Sequence, residues 1–194
     1  MSPPPDPIAR LVELLARAAA ASRNDATAAA LATADARGHP SVRIVLLKGA
    51  DARGLSFFTN RDSRKGRELA ENPWAALCLH WPELGEQVRA EGPVAPLDDA
   101  ESDAYFATRP RESQLGAWAS RQSAPLGSRA ELEAALREVE ARFAGGAVPR
   151  PPRWGGYLLR PDTLEFWRSA PGRLHHREAY ARDGGGWRVT LLQP

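Results

Sequence analysis

Apolar residues recur at helical spacing at the start of the chain and at strand spacing after it. Ile8, Leu11, Leu14 and Leu15 fall on one face of a helix predicted over residues 8–21. Short apolar runs follow, each bounded by Gly, Pro, Asn or Asp, which is typical of an antiparallel meander. The predicted strands are Thr27–Thr33, Val42–Leu47, Leu55–Thr59, Trp74–Trp81 and Gln87–Pro96.

Helical spacing dominates the middle of the chain. A short helix capped by Asp62 or Ser63 is predicted to run to Leu69, before Asn72-Pro73. Further helices are predicted at Asp98–Thr108, with Asp98 as its cap, and at Ser113–Ala119 and Ser128–Phe143. Further strands are predicted at Gly156–Leu159, Thr163–Arg168, His175–Arg182 and Trp187–Leu192. Strands at both ends with helices between them predict an α+β, mainly β, fold: an antiparallel barrel with flanking helices.

Composition narrows the class of protein. A chain of 194 residues, 43% hydrophobic and 26% charged, fits one globular domain spanning residues 1–194, with an N-terminal Pro-rich segment and helix over residues 1–25. We see no membrane-spanning run and no signal peptide. The single cysteine, Cys78, excludes an internal disulfide, so we expect a cytoplasmic protein without a metal site. The net charge of +2, with arginines interspersed among acids, argues against a nucleic-acid partner.

Only two of the 26 basic residues are lysines, Lys48 and Lys65, so these positions could require an ammonium group. Arg43 interrupts an apolar strand and needs either a carboxylate or a bound phosphate as its partner. Thr59, Arg64 and Lys65 surround a predicted helix start, where free N–H groups favour anions, although a solvated basic helix start would look the same.

A second group of anion-binding side chains lies further along the chain. Tyr105, Arg109 and Ser113 are spaced four apart, which would align them on one face of a helical path, although Pro110 limits its regularity. Their hydroxyl and guanidinium groups are donors that can hold a phosphate monoester. The segment from Gln114 to Ser123 offers amides and hydroxyls to a polar heterocycle.

The last cluster is Arg173-Leu174-His175-His176-Arg177. We predict that Arg173, His175 and Arg177 share one strand face, with His176 on the other. A metal at His175 is not expected, because no matching set of Cys, His or carboxylate ligands surrounds it. The chain also lacks Rossmann and P-loop signatures.

In order, these motifs resemble the pyridoxine/pyridoxamine 5′-phosphate oxidase family. The resemblance covers roughly Thr27 to Pro194. It is carried by RIVLLK (Arg43–Lys48), FFTNRDSRK (Phe57–Lys65), NPW (Asn72–Trp74), QVRAEG (Gln87–Gly92), YFATRPRESQLGAWASRQS (Tyr105–Ser123), PPRWGG (Pro151–Gly156), EFW (Glu165–Trp167), RLHHR (Arg173–Arg177) and the terminal LQP.

The resemblance implies an FMN-binding split β-barrel with Greek-key connections, a homodimer, and FMN at the subunit interface. The implied FMN contacts are Arg43, Ile44, Val45, Leu46, Leu47, Lys48, Phe58, Thr59, Arg64, Lys65, Gln87, Gln122, Ser123, Trp167 and Arg177. The implied substrate contacts are Lys48, Tyr105, Arg109, Ser113, Arg173 and His175, of which Arg173 and His175 would orient the reacting carbon. The implied reaction oxidises pyridoxamine or pyridoxine 5′-phosphate to pyridoxal 5′-phosphate and reduces dioxygen to hydrogen peroxide.

Three residues depart from the family pattern: Glu86 and Leu191 stand where arginine is usual, and His176 where aspartate is usual. The segment before the first helix also lacks an Arg/Tyr-rich arm that covers the active site in some members. Two other functions stay open: an FMN oxidase of an unphosphorylated aromatic such as a dihydrophenazine precursor, and a non-catalytic flavin-binding protein on the same barrel.

Overall fold

The computed structural model of the protein describes residues 6–194, so the start of the predicted Pro-rich segment, residues 1–5, lies outside the description. Within this described range, nine antiparallel strands form one sheet. They are β1 (Ala28–Ala34), β2 (Pro40–Asp51), β3 (Gly54–Asn60), β4 (Trp74–Trp81), β5 (Glu86–Pro96), β6 (Trp154–Leu159), β7 (Thr163–Arg168), β8 (His176–Asp183) and β9 (Gly186–Leu191).

Six of these strands close into a barrel. The strand order is β4-β1-β2-β3-β6-β5, and the pairing of β4 with β5 completes the ring. β7 pairs with the other end of β5, and β8 and β9 extend the sheet beyond it. The predicted antiparallel barrel with flanking helices is confirmed.

In the part of the chain that the structure describes, five α-helices flank the barrel: α1 (Pro7–Ala21), α2 (Arg64–Glu71), α3 (Asp99–Thr108), α4 (Arg111–Ala119) and α5 (Arg129–Arg142). The predicted caps are present: Ser63 accepts a hydrogen bond from the N–H of Gly66 (3.3 Å), and Asp98 accepts one from the N–H of Glu101 (2.7 Å). These bonds satisfy N–H groups that the first turn of a helix cannot pair internally.

The barrel interior holds the main apolar core. Leu31, Leu55, Phe57 and Leu159 are fully buried there, and α1 adds Leu11 to the same cluster. A second cluster lies beneath α3, α4 and α5 and contains Phe106, Leu115, Val148 and Trp154. Trp154 lies at the start of β6, and Phe58 of β3 packs against this second cluster.

β2 is longer than predicted because it continues to pair with β3 as far as Asp51. Its burial alternates, with Ser41, Arg43 and Val45 partly covered while Val42 and Ile44 are exposed. The register shifts between Leu47 and Gly49, so Lys48 lies at a bulge within the strand and not at the strand end that the sequence predicted.

The predicted helix end at Thr108 is confirmed, whereas the prediction that Arg173 lies on a strand was wrong. α3 ends at Thr108, and Arg109 is extended (φ −71°, ψ 147°), because Pro110 disfavours a helical conformation in the residue before it. Tyr105, Arg109 and Ser113 therefore span two helices and a break. Arg173 lies in a single 3₁₀ turn, Pro171–Arg173, and His175 precedes β8, so neither shares a strand face with Arg177.

Within residues 6–194, no helix combines the length and the apolar character needed to cross a lipid bilayer.

Candidate active site

A cleft of about 430 Å³ opens between β2, β3 and the helical region. Four of the six predicted substrate contacts line it: Lys48, Tyr105, Arg109 and Ser113. Besides Lys48, which is predicted to contact both groups, four predicted cofactor contacts line it, namely Leu46, Phe58, Thr59 and Gln122. Residues separated by up to 108 positions in sequence, from Leu46 to Trp154, thus meet at one concave surface.

Three stacked aromatic rings form one wall of the cleft. Phe58 stacks on Tyr105 with ring centroids 4.0 Å apart, and on Trp154 with centroids 5.4 Å apart. Gly156 makes this packing possible, because a Cβ there would lie 2.7 Å from Cε1 of Phe58 and 2.6 Å from Cδ1 of Leu97. The stack fixes where the hydroxyl-bearing ring of Tyr105 stands.

Arg109 brings an uncompensated positive charge to the cleft. Its Nη1 is buried and has no hydrogen-bond partner within residues 6–194. Its guanidinium lies over the Trp154 ring, 4.8 Å from the centroid, and no carboxylate in the same part of the chain forms an ion pair with it. Burial lowers the pKa of Arg109, and the nearby Tyr105 opposes that effect. A half-buried guanidinium with one buried, unpaired nitrogen is a ready site for an anion.

Lys65 lies behind the cleft wall, almost completely buried. Its ammonium donates to the hydroxyls of Thr59 (3.1 Å) and Ser63 (3.3 Å) and to the side-chain oxygen of Gln122 (3.3 Å). All three acceptors are neutral. Burial, followed by the charge of Arg43, lowers the pKa of Lys65 to about 8. This arrangement would gain from a negative charge bound nearby.

The partner that Arg43 needs is the carboxylate of Glu68. Arg43 Nη2 lies 3.2 Å from Glu68 Oε2, and Arg64 Nε donates to Glu68 Oε1 at 2.8 Å. Glu68 also accepts hydrogen bonds from the hydroxyls of Ser41 (2.6 Å) and Thr33. Of the two partners that the sequence left open for Arg43, a carboxylate is the one within this chain.

A second group of predicted cofactor residues lies on the outer face of the sheet beyond the barrel. Gln87 pairs in register with Trp167, and Trp167 with Arg177, so the three form a row across β5, β7 and β8. The His175 ring lies against Trp167, with centroids 4.6 Å apart. Within residues 6–194, the lining of the cleft includes none of these four residues, nor Arg173.

Arg177 is fixed by a buried carboxylate, as Arg43 and Arg64 are. Its Nε and Nη2 donate to the two oxygens of Glu165 at 2.9 and 3.0 Å, and Arg89 contacts the same carboxylate from β5. The hydrogen bond from Arg177 is the main cause that lowers the pKa of Glu165, so this residue stays ionised.

Two predicted site residues hold backbone conformations that side chains normally avoid. Ser123 has φ +68° and Arg173 has φ +62°, and they are the only non-glycine residues with positive φ in residues 6–194. Such conformations cost free energy and concentrate at functional positions. Val45 and Leu47, in contrast, pack into the main core, which leaves only their backbone for any cofactor contact.

The three departures from the expected pattern lie at the β5–β7–β8 end of the sheet. Glu86 pairs in register with Arg168, and Arg168 with His176. The Glu86 carboxylate lies 3.4 Å from Arg17 of α1. Leu191 is largely exposed at the end of β9. Within the described part of the chain, none of the three lines the cleft.

Two models of known protein families match this chain and show the family to which it belongs. A family model described as pyridoxamine 5′-phosphate oxidase matches residues 15–143, and one described as the pyridoxine 5′-phosphate oxidase C-terminal dimerisation region matches residues 154–194. The chain belongs to the pyridoxamine 5′-phosphate oxidase family.

Individual proteins agree with this family assignment. A pyridoxine/pyridoxamine 5′-phosphate oxidase of Anaeromyxobacter dehalogenans is 74% identical over 98% of this chain and 96% of its own length. The corresponding protein of Myxococcus xanthus is 54% identical over 98% of this chain and 93% of its own.

Solved structures show the same fold. PhzG from Burkholderia lata, in complex with tetrahydrophenazine-1-carboxylic acid, is 42% identical, with a TM-score of 0.93 over 100% of this chain and 95% of its own. An FMN-binding protein from Nostoc punctiforme related to pyridoxamine 5′-phosphate oxidase has a TM-score of 0.77 at 20% identity, over the full length of both chains. The predicted split-barrel fold of the oxidase family is thereby confirmed.

Sequence reasoning missed three residues that shape this oxidase-family site. Trp154 supports Arg109, Glu68 joins Arg43 to Arg64, and Glu165 holds Arg177. Only Glu68 leaves a readable signal, since it stands four residues after Arg64 on a predicted helix, at ion-pair spacing. The other two depend on tertiary contacts.

Proposed function

We propose that this chain is an FMN-dependent oxidase that converts pyridoxamine or pyridoxine 5′-phosphate to pyridoxal 5′-phosphate. With the amine substrate, dioxygen and water are consumed, and hydrogen peroxide and ammonia are released beside the aldehyde. The observation that carries the proposal is the half-buried Arg109, whose buried Nη1 lacks a partner within residues 6–194 and which lines a cleft of matching donors. The names of the relatives support the same activity.

The substrate phosphate is assigned to Tyr105, Arg109 and Ser113, with Lys48 close to the rest of the substrate. The two hydroxyls and the guanidinium line one cleft, and their hydrogen bonds to a phosphate dianion would be charge-assisted. Stacking on Phe58 and Trp154 sets the positions of Tyr105 and Arg109 before substrate arrives. Such preorganisation reduces the entropy lost on binding.

The residues around Lys65 fit the phosphate of FMN. The buried ammonium of Lys65 has neutral hydrogen-bond acceptors and lies near Arg43 of β2 and Arg64 at the start of α2. The positive charges of these three residues exceed the single negative charge of Glu68. Arg43, Arg64 and Lys65 would hold the phosphate; Leu46, Phe58, Thr59, Gln122 and Ser123 are assigned to the rest of the cofactor. When bound, FMN accepts hydride from the substrate carbon and passes the electrons to dioxygen.

A homodimer would complete this site. Val42 and Ile44 of β2 are 68% and 65% exposed, and Leu46 beside them lines the cleft. The strand register places Ile44, Ala30, Cys78, Arg89 and Glu165 in one row on the same outer face. The apolar strand and the Gln87–Trp167–Arg177 row therefore both belong to the outer surface of the barrel and its extension.

A two-fold dimer buries the same surface of both copies. Burying this one would bring Gln87, Trp167 and Arg177 of one copy toward the cleft of the other, with FMN between them. The matched dimerisation region contains two of these three residues and supports this arrangement. Because β6 and β7 pair with β3 and β5, we also assign the whole chain to one FMN-binding unit.

Arg173 and His175 lie on the same segment as Arg177 and would reach the cleft of the other copy with it, so they are assigned to the substrate ring and its reacting carbon there. Arg173 extends from a turn that its positive φ makes sharp, and His175 is held by Trp167 and by a hydrogen bond from the N–H of Ala170 to its Nδ1 (3.3 Å). Both would orient the carbon for hydride removal, which needs close alignment more than a strong base.

A second candidate is oxidation of an unphosphorylated aromatic, which the likeness to PhzG favours. That substrate has no phosphate for Tyr105, Arg109 and Ser113 to hold, so part of the hydrogen-bonding capacity of this group would go unused. A non-catalytic flavin-binding protein is the third candidate.

Oxygen uptake by the FMN-loaded protein separates the three. Turnover with pyridoxamine 5′-phosphate, and much weaker turnover with pyridoxamine, supports the proposal. Preference for an unphosphorylated dihydrophenazine acid supports the second candidate. Bound flavin with no turnover of either kind of substrate contradicts the proposed oxidase activity.

A further inference from the structure

Glu68 is the only carboxylate within residues 6–194 that forms ion pairs with Arg43 and Arg64. Glu68 is 95% buried, since its relative exposure is 5%. It is not among the site residues that the family resemblance implies, and the cleft lining within residues 6–194 does not include it. Its two oxygens take different partners: Oε1 accepts from Arg64, and Oε2 accepts from Ser41, Thr33 and Arg43. One side chain on α2 thus ties together β1, β2 and the first turn of its own helix.

This geometry limits what Arg43 can do. Nη1 of Arg43 donates to the carbonyl of Leu31 (3.2 Å) and to the Thr33 hydroxyl (2.6 Å), while Nη2 donates to Ser41 and Glu68. The guanidinium is held on both of its terminal nitrogens. A guanidinium held in this way presents its remaining donor in one direction and loses little entropy when an anion binds.

We propose that Glu68 is a positioning residue of the cofactor site, which holds Arg43 and Arg64 in the orientation that receives the cofactor phosphate and offsets their repulsion of Lys65. The inference rests on the proposed function, because it takes the Arg43–Arg64–Lys65 cluster as the phosphate site. Glu68 itself does not contact the cofactor in this assignment.

The electrostatics agree with the geometry. Burial would raise the pKa of Glu68, but hydrogen bonds from Ser41, Thr33, Arg64 and Arg43 lower it to about 2, so the carboxylate is ionised at any working pH. Burial and then Arg43 lower the pKa of Lys65, whereas Glu68 raises it. The other groups around Lys65 are the neutral oxygens of Thr59, Ser63 and Gln122. Removing the Glu68 charge should therefore deprotonate Lys65 at a lower pH.

The test compares FMN dissociation constants of the full-length protein from pH 6 to pH 9, by quenching of flavin fluorescence, for wild type, Glu68→Gln and Glu71→Gln. Glu71→Gln is the matched control: it lies on the same helix, and its carboxylate accepts only a backbone N–H, that of Ala36 (3.3 Å). For Glu68→Gln we expect FMN affinity to fall roughly tenfold or more, since hydrogen bonds to charged groups are lost. We also expect its loss of affinity with rising pH to begin at a lower pH than in wild type.

A role confined to folding would not shift that pH profile. If apo Glu68→Gln is folded by circular dichroism and binds FMN with the wild-type constant and pH profile, the inference is overturned. If Glu68→Gln does not fold, Glu68→Asp replaces it: the carboxylate remains but is too short to bridge both arginines. Weaker FMN binding with an unshifted pH profile then supports the inference, and unchanged binding overturns it.

The two proposals fail in different ways. Wild-type protein that binds no FMN overturns the proposed function and the role of Glu68 together. Wild-type protein that binds FMN and loses it on Lys65→Ala, but not on Glu68→Gln, retains the proposed cofactor site and overturns only the role of Glu68.

Discussion

The guanidinium of Arg109 lies 4.8 Å from the centre of the Trp154 ring. Arg43, Arg64 and Arg177 each contact a carboxylate, whereas Arg109 contacts this aromatic face. An aromatic face attracts a cation without neutralising it. The charge of Arg109 therefore remains available, which is the property that a phosphate site requires.

Substitution Arg109→Ala should raise the KM for pyridoxamine 5′-phosphate. A charge-assisted hydrogen bond is worth about 1.5–3 kcal/mol, which corresponds to a change of roughly 10- to 100-fold. Steady-state oxygen uptake gives the KM. The internal control is unphosphorylated pyridoxamine, whose KM should change little; an equal change for both substrates would mean that Arg109 does not bind the phosphate.

Substitution Gly156→Ala should weaken both folding and FMN binding. The added Cβ would stand 2.7 Å from the Phe58 ring and 2.6 Å from Leu97, so the aromatic wall must move. Overpacking of this kind costs about 1–3 kcal/mol, measurable by urea denaturation.

Gly116→Ala is the matched control for that substitution, because a Cβ at Gly116 meets nothing within 4 Å. In the middle of α4 it should stabilise the fold by about 0.5–1 kcal/mol. Two variants with the same stability would show that Gly156 is not needed for close packing.

FMN binding should weaken as pH rises through about 8. The pKa of Lys65 is lowered to about 8 in the free protein, and a bound phosphate favours the protonated amine. Affinity is therefore highest below this pH and falls above it, by at most about tenfold per pH unit. Lys65→Arg serves as the control, since an arginine stays charged and should flatten the profile measured by fluorescence titration. Identical profiles for the two proteins would remove Lys65 from the cofactor site.

The sequence predicts the features that depend on residues close together in the chain, and it does not predict those that depend on tertiary contacts. The strands and capped helices follow from local spacing, and Ser63 and Asp98 cap the helices as predicted. Arg43 could be recognised as a charge in need of a partner, but the choice of Glu68 depends on how α2 packs beside β1 and β2. The turn at Arg173 was misjudged because its positive φ is imposed by tertiary structure on a residue that does not favour it.

Substitution Ile44→Lys should dissociate the homodimer. Ile44 is 65% exposed in the single chain, at the centre of the apolar face of β2. Burying an unpaired ammonium there is costly, so the variant should be monomeric by light scattering and should lose FMN. Val12→Lys, at a 44% exposed position on α1, is the control and should remain dimeric. A dimeric Ile44→Lys variant that retains FMN would place the interface elsewhere.

The central claim is that one active site combines the cleft of one subunit with the Arg173–Arg177 segment of its partner. Arg109→Ala and Arg173→Ala proteins, assayed near the wild-type KM where each should be nearly inactive alone, should regain activity when unfolded together and refolded as mixed dimers. Random mixing places one intact site in half of the dimers, so about a quarter of wild-type oxygen uptake should return. No recovery, in a mixture shown by mass spectrometry to contain mixed dimers, would contradict the shared site.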